Sequence, residues 1–118
     1  MIDLQLVLEQ RIKDVLESEK GLVANPDLMD DWGTITFLDS SGEPVRIEFI
    51  ETERSWRRSD AVQTYNDLAD DGVEVVVIVP EAVLETVDRH LGTYANPDIQ
   101  LATLDDIGIE VKEVIPSQ

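Results

Sequence analysis

Two carboxylates and one cluster of arginines stand out as side chains whose types and spacing could do chemistry. Asp27 follows Asn25-Pro26, and Glu48 lies within Val45-Arg46-Ile47-Glu48-Phe49-Ile50, with residues 28–47 between them. Carboxylates brought together hold a hard divalent cation such as magnesium or manganese, which prefers oxygen ligands. A metal held in this way lowers the pKa of its bound water. It also stabilises the charge that develops on the attacking and leaving oxygens of a phosphodiester. With 26 acidic side chains in the chain, spacing alone does not single out which carboxylates would do this, and Glu51 lies three residues beyond Glu48.

The arginines form the second constellation. Arg54, Arg57 and Arg58 are three of the six arginines and fall within five residues, around Trp56. Guanidinium groups grip phosphate bidentately and an indole can stack a base. Arg54, Trp56, Arg57 and Arg58 are therefore candidate nucleic-acid-binding residues. Arginine at the start of a helix opposes the helix dipole, so helix stability does not explain this placement. The competing reading pairs the arginines locally with Glu51, Glu53 and Asp60, and packs Trp56 and Tyr65 in the core. His90 is the one histidine, so a histidine metal cluster is excluded. The six glycines are scattered and make no phosphate-binding loop. Asp30-Asp31-Trp32-Gly33 and Asp105-Asp106-Ile107-Gly108 read as turns.

The elements that must position these residues follow from periodicity. Leu4, Val7, Leu8, Ile12, Val15 and Leu16 recur at helical spacing and predict a helix over residues 3–19, with Asp3 as its cap and Gly21 as its stop. Leu22-Val23-Ala24 predicts a short strand broken by Asn25-Pro26. Residues 34–38 and 45–51 predict a hairpin across the turn cluster at 39–44. Residues 57–71 predict a second helix, capped by Ser55 or Ser59 and ended by Gly72. The apolar run at 73–79 predicts a strand covered on both faces. Pro80 then opens a helix that ends at Gly92. Ile99-Gln100-Leu101 and Ile109-Glu110-Val111 predict two short strands, and residues 114–118 a frayed tail. On an internal third strand Glu48 would be buried, where its charge needs either a metal or Arg46 on the same face.

This α-β-β-β-α-β order, with Pro26-Asp27 and then Glu48, resembles the restriction-endonuclease-like, or PD-(D/E)XK, superfamily over residues 3–102. The resemblance implies a three-layer α/β sandwich around a mixed sheet, and one or two magnesium (or manganese) ions with Asp27 and Glu48 as their ligands. It further implies Asp27, Glu48 and Glu51 as the candidate catalytic set, and Gln63 and Tyr65 of the second helix as candidate supporting residues. It also implies a lysine two positions after the acid. Here Ile50 follows Glu48 at that spacing and Glu53 follows Glu51, and the lysines are Lys13, Lys20 and Lys112. Some members of the superfamily have lost catalysis and keep the fold as a binding module. Three functions therefore compete: a metal-dependent nuclease, an inactive binding module of the same fold, and an acidic protein-interaction partner.

Composition narrows the setting. The chain has 118 residues, enough for a single domain with one core. Twenty-six acidic against nine basic side chains give a net charge of −17. Such a body repels nucleic acid over most of its surface. High-salt adaptation, a basic protein partner, and one small basic patch on an acidic body each account for it. The absence of cysteine excludes disulfides and thiolate metal sites. The first residues lack the basic and apolar regions of a signal peptide, and no apolar run approaches membrane-spanning length. A cytoplasmic protein is expected, and cutting both strands of a duplex would call for a homodimer.

Overall fold

The computed structural model describes residues 3–108; the strand expected at 109–111 and the tail lie outside the described residues. Helix α1 spans Leu4–Ser18, and the Asp3 carboxylate caps it by accepting from the Leu6 amide at 3.2 Å. Val7, Leu8 and Val15 are its buried positions, and Arg11 lies on the same stripe, four residues from both Val7 and Val15.

Five strands follow: β1 (Val23–Leu28), β2 (Gly33–Leu38), β3 (Pro44–Ile50), β4 (Glu74–Val79) and β5 (Gln100–Thr103). They form one mixed sheet in the order β1-β2-β3-β4-β5. The pairs β1/β2 and β2/β3 are antiparallel, and β3/β4 and β4/β5 are parallel. Helix α2 (Ala61–Asp70) joins β3 to β4, and α3 (Leu84–Tyr94) joins β4 to β5. The described residues thus make a mixed α/β fold of three helices and a five-stranded sheet. Among the described residues no helix is long and apolar enough to cross a membrane.

Helices cover both faces of the sheet. Val7, Leu8 and Val15 of α1 pack with Ile35, Phe37, Ile50, Val76 and Ile78 on one face. Phe49, Val75, Val77 and Val79 pack on the other with Ala61 and Tyr65 of α2 and Val87 and Leu91 of α3. This division explains why the β4 run reads as uninterrupted apolar sequence: alternate residues serve opposite cores. At the start of β2, a Cβ on Gly33 would stand 3.0 Å from a Leu8 methyl and 3.2 Å from the Asp27 carbonyl. The absence of a side chain there lets α1 settle on the sheet.

Four boundaries differ from the periodicity reading. Strand β1 continues through Asn25-Pro26 to Leu28, because an edge strand tolerates a residue without an N–H donor. The second helix begins at Ala61; residues Ser55–Arg57 instead make a single 3₁₀ turn. Neither Ser55 nor Ser59 caps α2: its N-cap residue is Asp60, with no side-chain cap bond. Beyond Pro80 a 3₁₀ turn at Glu81–Val83 precedes α3, which runs through Gly92 to Tyr94. The β2–β3 turn is built as its composition suggests. The Asp39 carboxylate accepts from the Ser41 amide and hydroxyl and the Glu43 amide, which holds its carboxyl below the usual range.

Candidate functional site

Strand β3 occupies the middle of the sheet and delivers Glu48 and, just past its end, Glu51 into full burial. Glu48 faces α1. Its carboxylate takes two hydrogen bonds from one guanidinium, Arg11 Nε at 2.7 Å and Arg11 Nη2 at 2.9 Å. This fork-to-fork geometry is the strongest form of the pair. Arg46, two residues earlier on the same face, places its Nε 3.4 Å from Glu48 and its Nη2 2.8 Å from Glu19. The four side chains sum to zero charge. Arg46 also lies over the Phe37 ring, and its buried Nε has no hydrogen-bond acceptor among the described residues. The Arg11 guanidinium, hydrogen-bonded to Glu48, is held even more firmly protonated than usual.

Glu51 is closed from the other direction. Arg58 donates to both of its oxygens, at 2.6 and 3.2 Å, and the Ser55 hydroxyl donates at 2.8 Å. The Tyr65 hydroxyl donates to Glu51 Oε2. Burial, with the adjacent Glu51 charge second, pushes the Tyr65 hydroxyl pKa far above its ordinary value. The Arg58 guanidinium stacks 3.5 Å over the Trp32 ring, Trp32 stacks on Phe49, and Phe49 meets Tyr65 edge-on. Arg58, Trp32, Phe49, Tyr65 and Glu51 thus close a continuous circuit. It ties the β1–β2 turn, the centre of the sheet and α2 together.

The remaining expected site residues fall elsewhere. Asp27 is exposed on edge strand β1, and register aligns it with Thr34 of β2 and Phe49 of β3. Pro26, Ile35 and Glu48 form the neighbouring row, on the opposite face. The structure therefore does not bring Asp27 and Glu48 together. Gln63 is exposed and bonds Asp67 within its own helix. Trp56 is buried and donates its indole N–H to the Glu53 carbonyl at 2.8 Å. Arg54 and Arg57 are exposed.

A magnesium ion does not fit this set. Both oxygens of Glu48 accept from Arg11, and the Arg46 guanidinium lies beside the same carboxylate. Both oxygens of Glu51 are engaged as well. Among the described residues no group of three or more His, Asp or Glu side chains is gathered as a metal would need. The residue that sequence reasoning missed is Arg11. Its signal was a cation placed on the buried stripe of α1, where a leucine or valine would otherwise stand. No protein-family model, curated protein or solved structure matches the chain.

Proposed function

We propose that this protein is a binding module of restriction-endonuclease-like architecture that does not cleave nucleic acid. The observation that carries the reading is the closure of both buried carboxylates by arginine. A catalytic carboxylate must offer oxygen lone pairs to a metal or a water. Here Glu51 accepts four hydrogen bonds, and the buried Glu48 is held by the Arg11 fork with Arg46 beside it, so both carboxylates serve the fold. The missing lysine two positions after the acid points the same way, since Ile50 occupies that position and lies fully buried in the α1 core. The helix–strand order and the mixed sheet support the architectural part of the reading.

The test is a calorimetric titration of manganese into the full chain and into Asp27→Ala, alongside cleavage assays on DNA and RNA with the metal present. Asp27 is exposed, so its substitution leaves the fold in place. The expected result is weak, unsaturated heat indistinguishable between the two proteins, and no cleavage. Saturable binding or cleavage that Asp27→Ala removes would overturn the proposal.

A further inference from the structure

We propose that folding of this chain is coupled to salt: ions at high concentration stabilise the folded state by screening its surface, with no cation held at a particular site. The proposal is independent of the binding-module reading and accounts for the −17 charge without a partner.

The argument starts from where the charges lie. The ion pairs among the described residues set Arg11, Arg46 and Arg58 against Glu19, Glu48 and Glu51. Glu48 and Glu51 are fully buried, and none of the three guanidinium side chains is more than 22% exposed. Lys13, Lys20, Arg54, Arg57 and Arg89 are exposed and make no ion pair among the described residues. The acids are distributed the other way. Within residues 3–108, every Asp and Glu other than Asp14, Asp39, Glu48 and Glu51 is exposed, and of the exposed ones Glu19 alone is paired among the described residues. Attraction between charges is therefore held inside the molecule, and repulsion is left on its surface.

Salt acts on these two sets unequally. From about 0.1 to about 1 M the screening length falls from about 10 to about 3 Å, which quenches interactions between exposed charges and reaches buried pairs far less. On a surface of mixed charge, screening weakens attraction and repulsion together. Here it removes a repulsion that the compact state concentrates and unfolding relieves. The end of α2 is the sharpest local case. Asp67, Asp70 and Asp71 stand at its C-terminal end, where the helix dipole disfavours anions, with no basic residue in the last turn, and Glu74 follows at the start of β4. Like charges three and four residues apart add a further cost. The side chains that meet these acids are neutral amides: Gln63 donates to Asp67, Asn96 to Asp70 and Gln100 to Glu74.

The same distribution argues against the two other accounts of the acidity. A basic partner would call for acids gathered on one face. They lie instead on α1, which covers one side of the sheet (Glu9, Glu17), and on α2 and α3, which cover the other (Asp67, Asp70, Glu85, Asp88). A basic patch would call for arginines clear of acids. Arg54 and Arg57 stand in sequence between exposed Glu53 and Asp60, and Arg89 directly follows exposed Asp88.

The test is thermal unfolding of the full chain, followed by circular dichroism, from about 0.05 to about 2 M NaCl and again in KCl. The variant Asp67→Asn/Asp70→Asn/Asp71→Asn/Glu74→Gln, which removes charge and keeps shape, is measured beside it. The parent midpoint is expected to rise by about 10 °C or more across this range, equally in the two salts. A parent that is unfolded at the lowest salt and folds as NaCl is added gives the same answer. The variant should melt above the parent at low salt, by about 4 °C or more, and the gap should close at high salt. Arg58→Ala, which breaks an internal pair, should lose about as many degrees at high salt as at the lowest salt at which the parent folds. A parent midpoint that stays level or falls overturns the proposal. So does a rise of equal size in parent and variant, which would assign it to the general strengthening of apolar burial by salt. A rise with millimolar magnesium that molar NaCl does not reproduce overturns it as well, and points to a bound cation. Metal-dependent cleavage would sink the proposed function without altering the response to NaCl, so the two failures are told apart.

Discussion

Glu48 and Glu51 are separated by two residues of one chain segment, both are fully buried, and each is closed in a different way. Glu48 reaches across sequence: its main partner, Arg11, lies 37 residues away on α1. Glu51 is closed locally, by Ser55, Arg58 and Tyr65 at separations of 4, 7 and 14. The first closure staples a helix to the centre of the sheet. The second folds a turn and the start of α2 onto the end of β3. They also differ in reserve. Glu48 keeps a second guanidinium, that of Arg46, when Arg11 is removed. The other partners of Glu51 are neutral hydroxyls, so Arg58 is its sole counter-charge among the described residues.

That difference is measurable as stability. Removing the one charge that balances a buried ion leaves it uncompensated, at about 3–5 kcal/mol. Arg58→Ala is expected to fall in that range, and it also strips the stack on Trp32. Arg11→Ala is expected to cost less, about 1–3 kcal/mol, because the loss is of hydrogen bonds to a carboxylate that retains a cation. Urea unfolding of the two variants against the parent chain reads the difference directly. A larger cost for Arg11→Ala would mean that Arg46, lacking a good hydrogen bond through Nε, does not hold Glu48 by itself.

How much of this was legible in the sequence follows the same divide. The local closure could be read: an arginine cluster just after Glu51 and Glu53 makes pairing with them a reading available from the sequence, and Arg58 takes it. The pairing of Arg46 with Glu48 was also available, because alternate residues on a strand share a face. Arg11 was hidden because nothing in residues 4–18 says which strand the helix will lie against. The internal strand β4 was clear from its unbroken apolar run. The continuity of β1 through Pro26 was not, since a proline breaks most strands and is tolerated only at an edge, and edge position is a property of the whole sheet. The separation of Asp27 from Glu48 is of the same kind. Spacing along the chain suggested a pair, while the register of two hairpins fixed which face each residue took, and a shift of one residue would have reversed it.

Tyr65 gives the local closure a pH signature. Its hydroxyl holds its proton well above the ordinary tyrosine value in the folded state, through burial and the Glu51 charge. The unfolded chain releases that proton near pH ~10. Above that pH the unfolded state binds fewer protons than the folded one, so stability falls as pH rises, by up to about 1.4 kcal/mol per unit. Below it the contribution is fully present. Unfolding midpoints of the parent chain and Tyr65→Phe, compared from neutral to alkaline pH, isolate the effect. At neutral pH the variant should be weaker by about 1–3 kcal/mol, the value of a hydrogen bond to a buried charge. The gap should narrow above pH ~10. A constant gap would show that the Tyr65 proton is not retained on folding.

The smallest effect expected is also the sharpest contrast between neighbours. Arg57 and Arg58 are adjacent in sequence, yet Arg58 anchors Glu51 while Arg57 lies exposed over Trp56. If the division of arginines into structural and available sets is right, Arg57→Ala and Arg54→Ala should each change stability by no more than about 0.5 kcal/mol, as surface substitutions do. The same urea measurement that finds a large loss for Arg58→Ala serves as the control. A loss above that range in Arg57→Ala would place its cation–π contact among the forces that hold the 3₁₀ turn to α3. The guanidinium would then be committed to the fold.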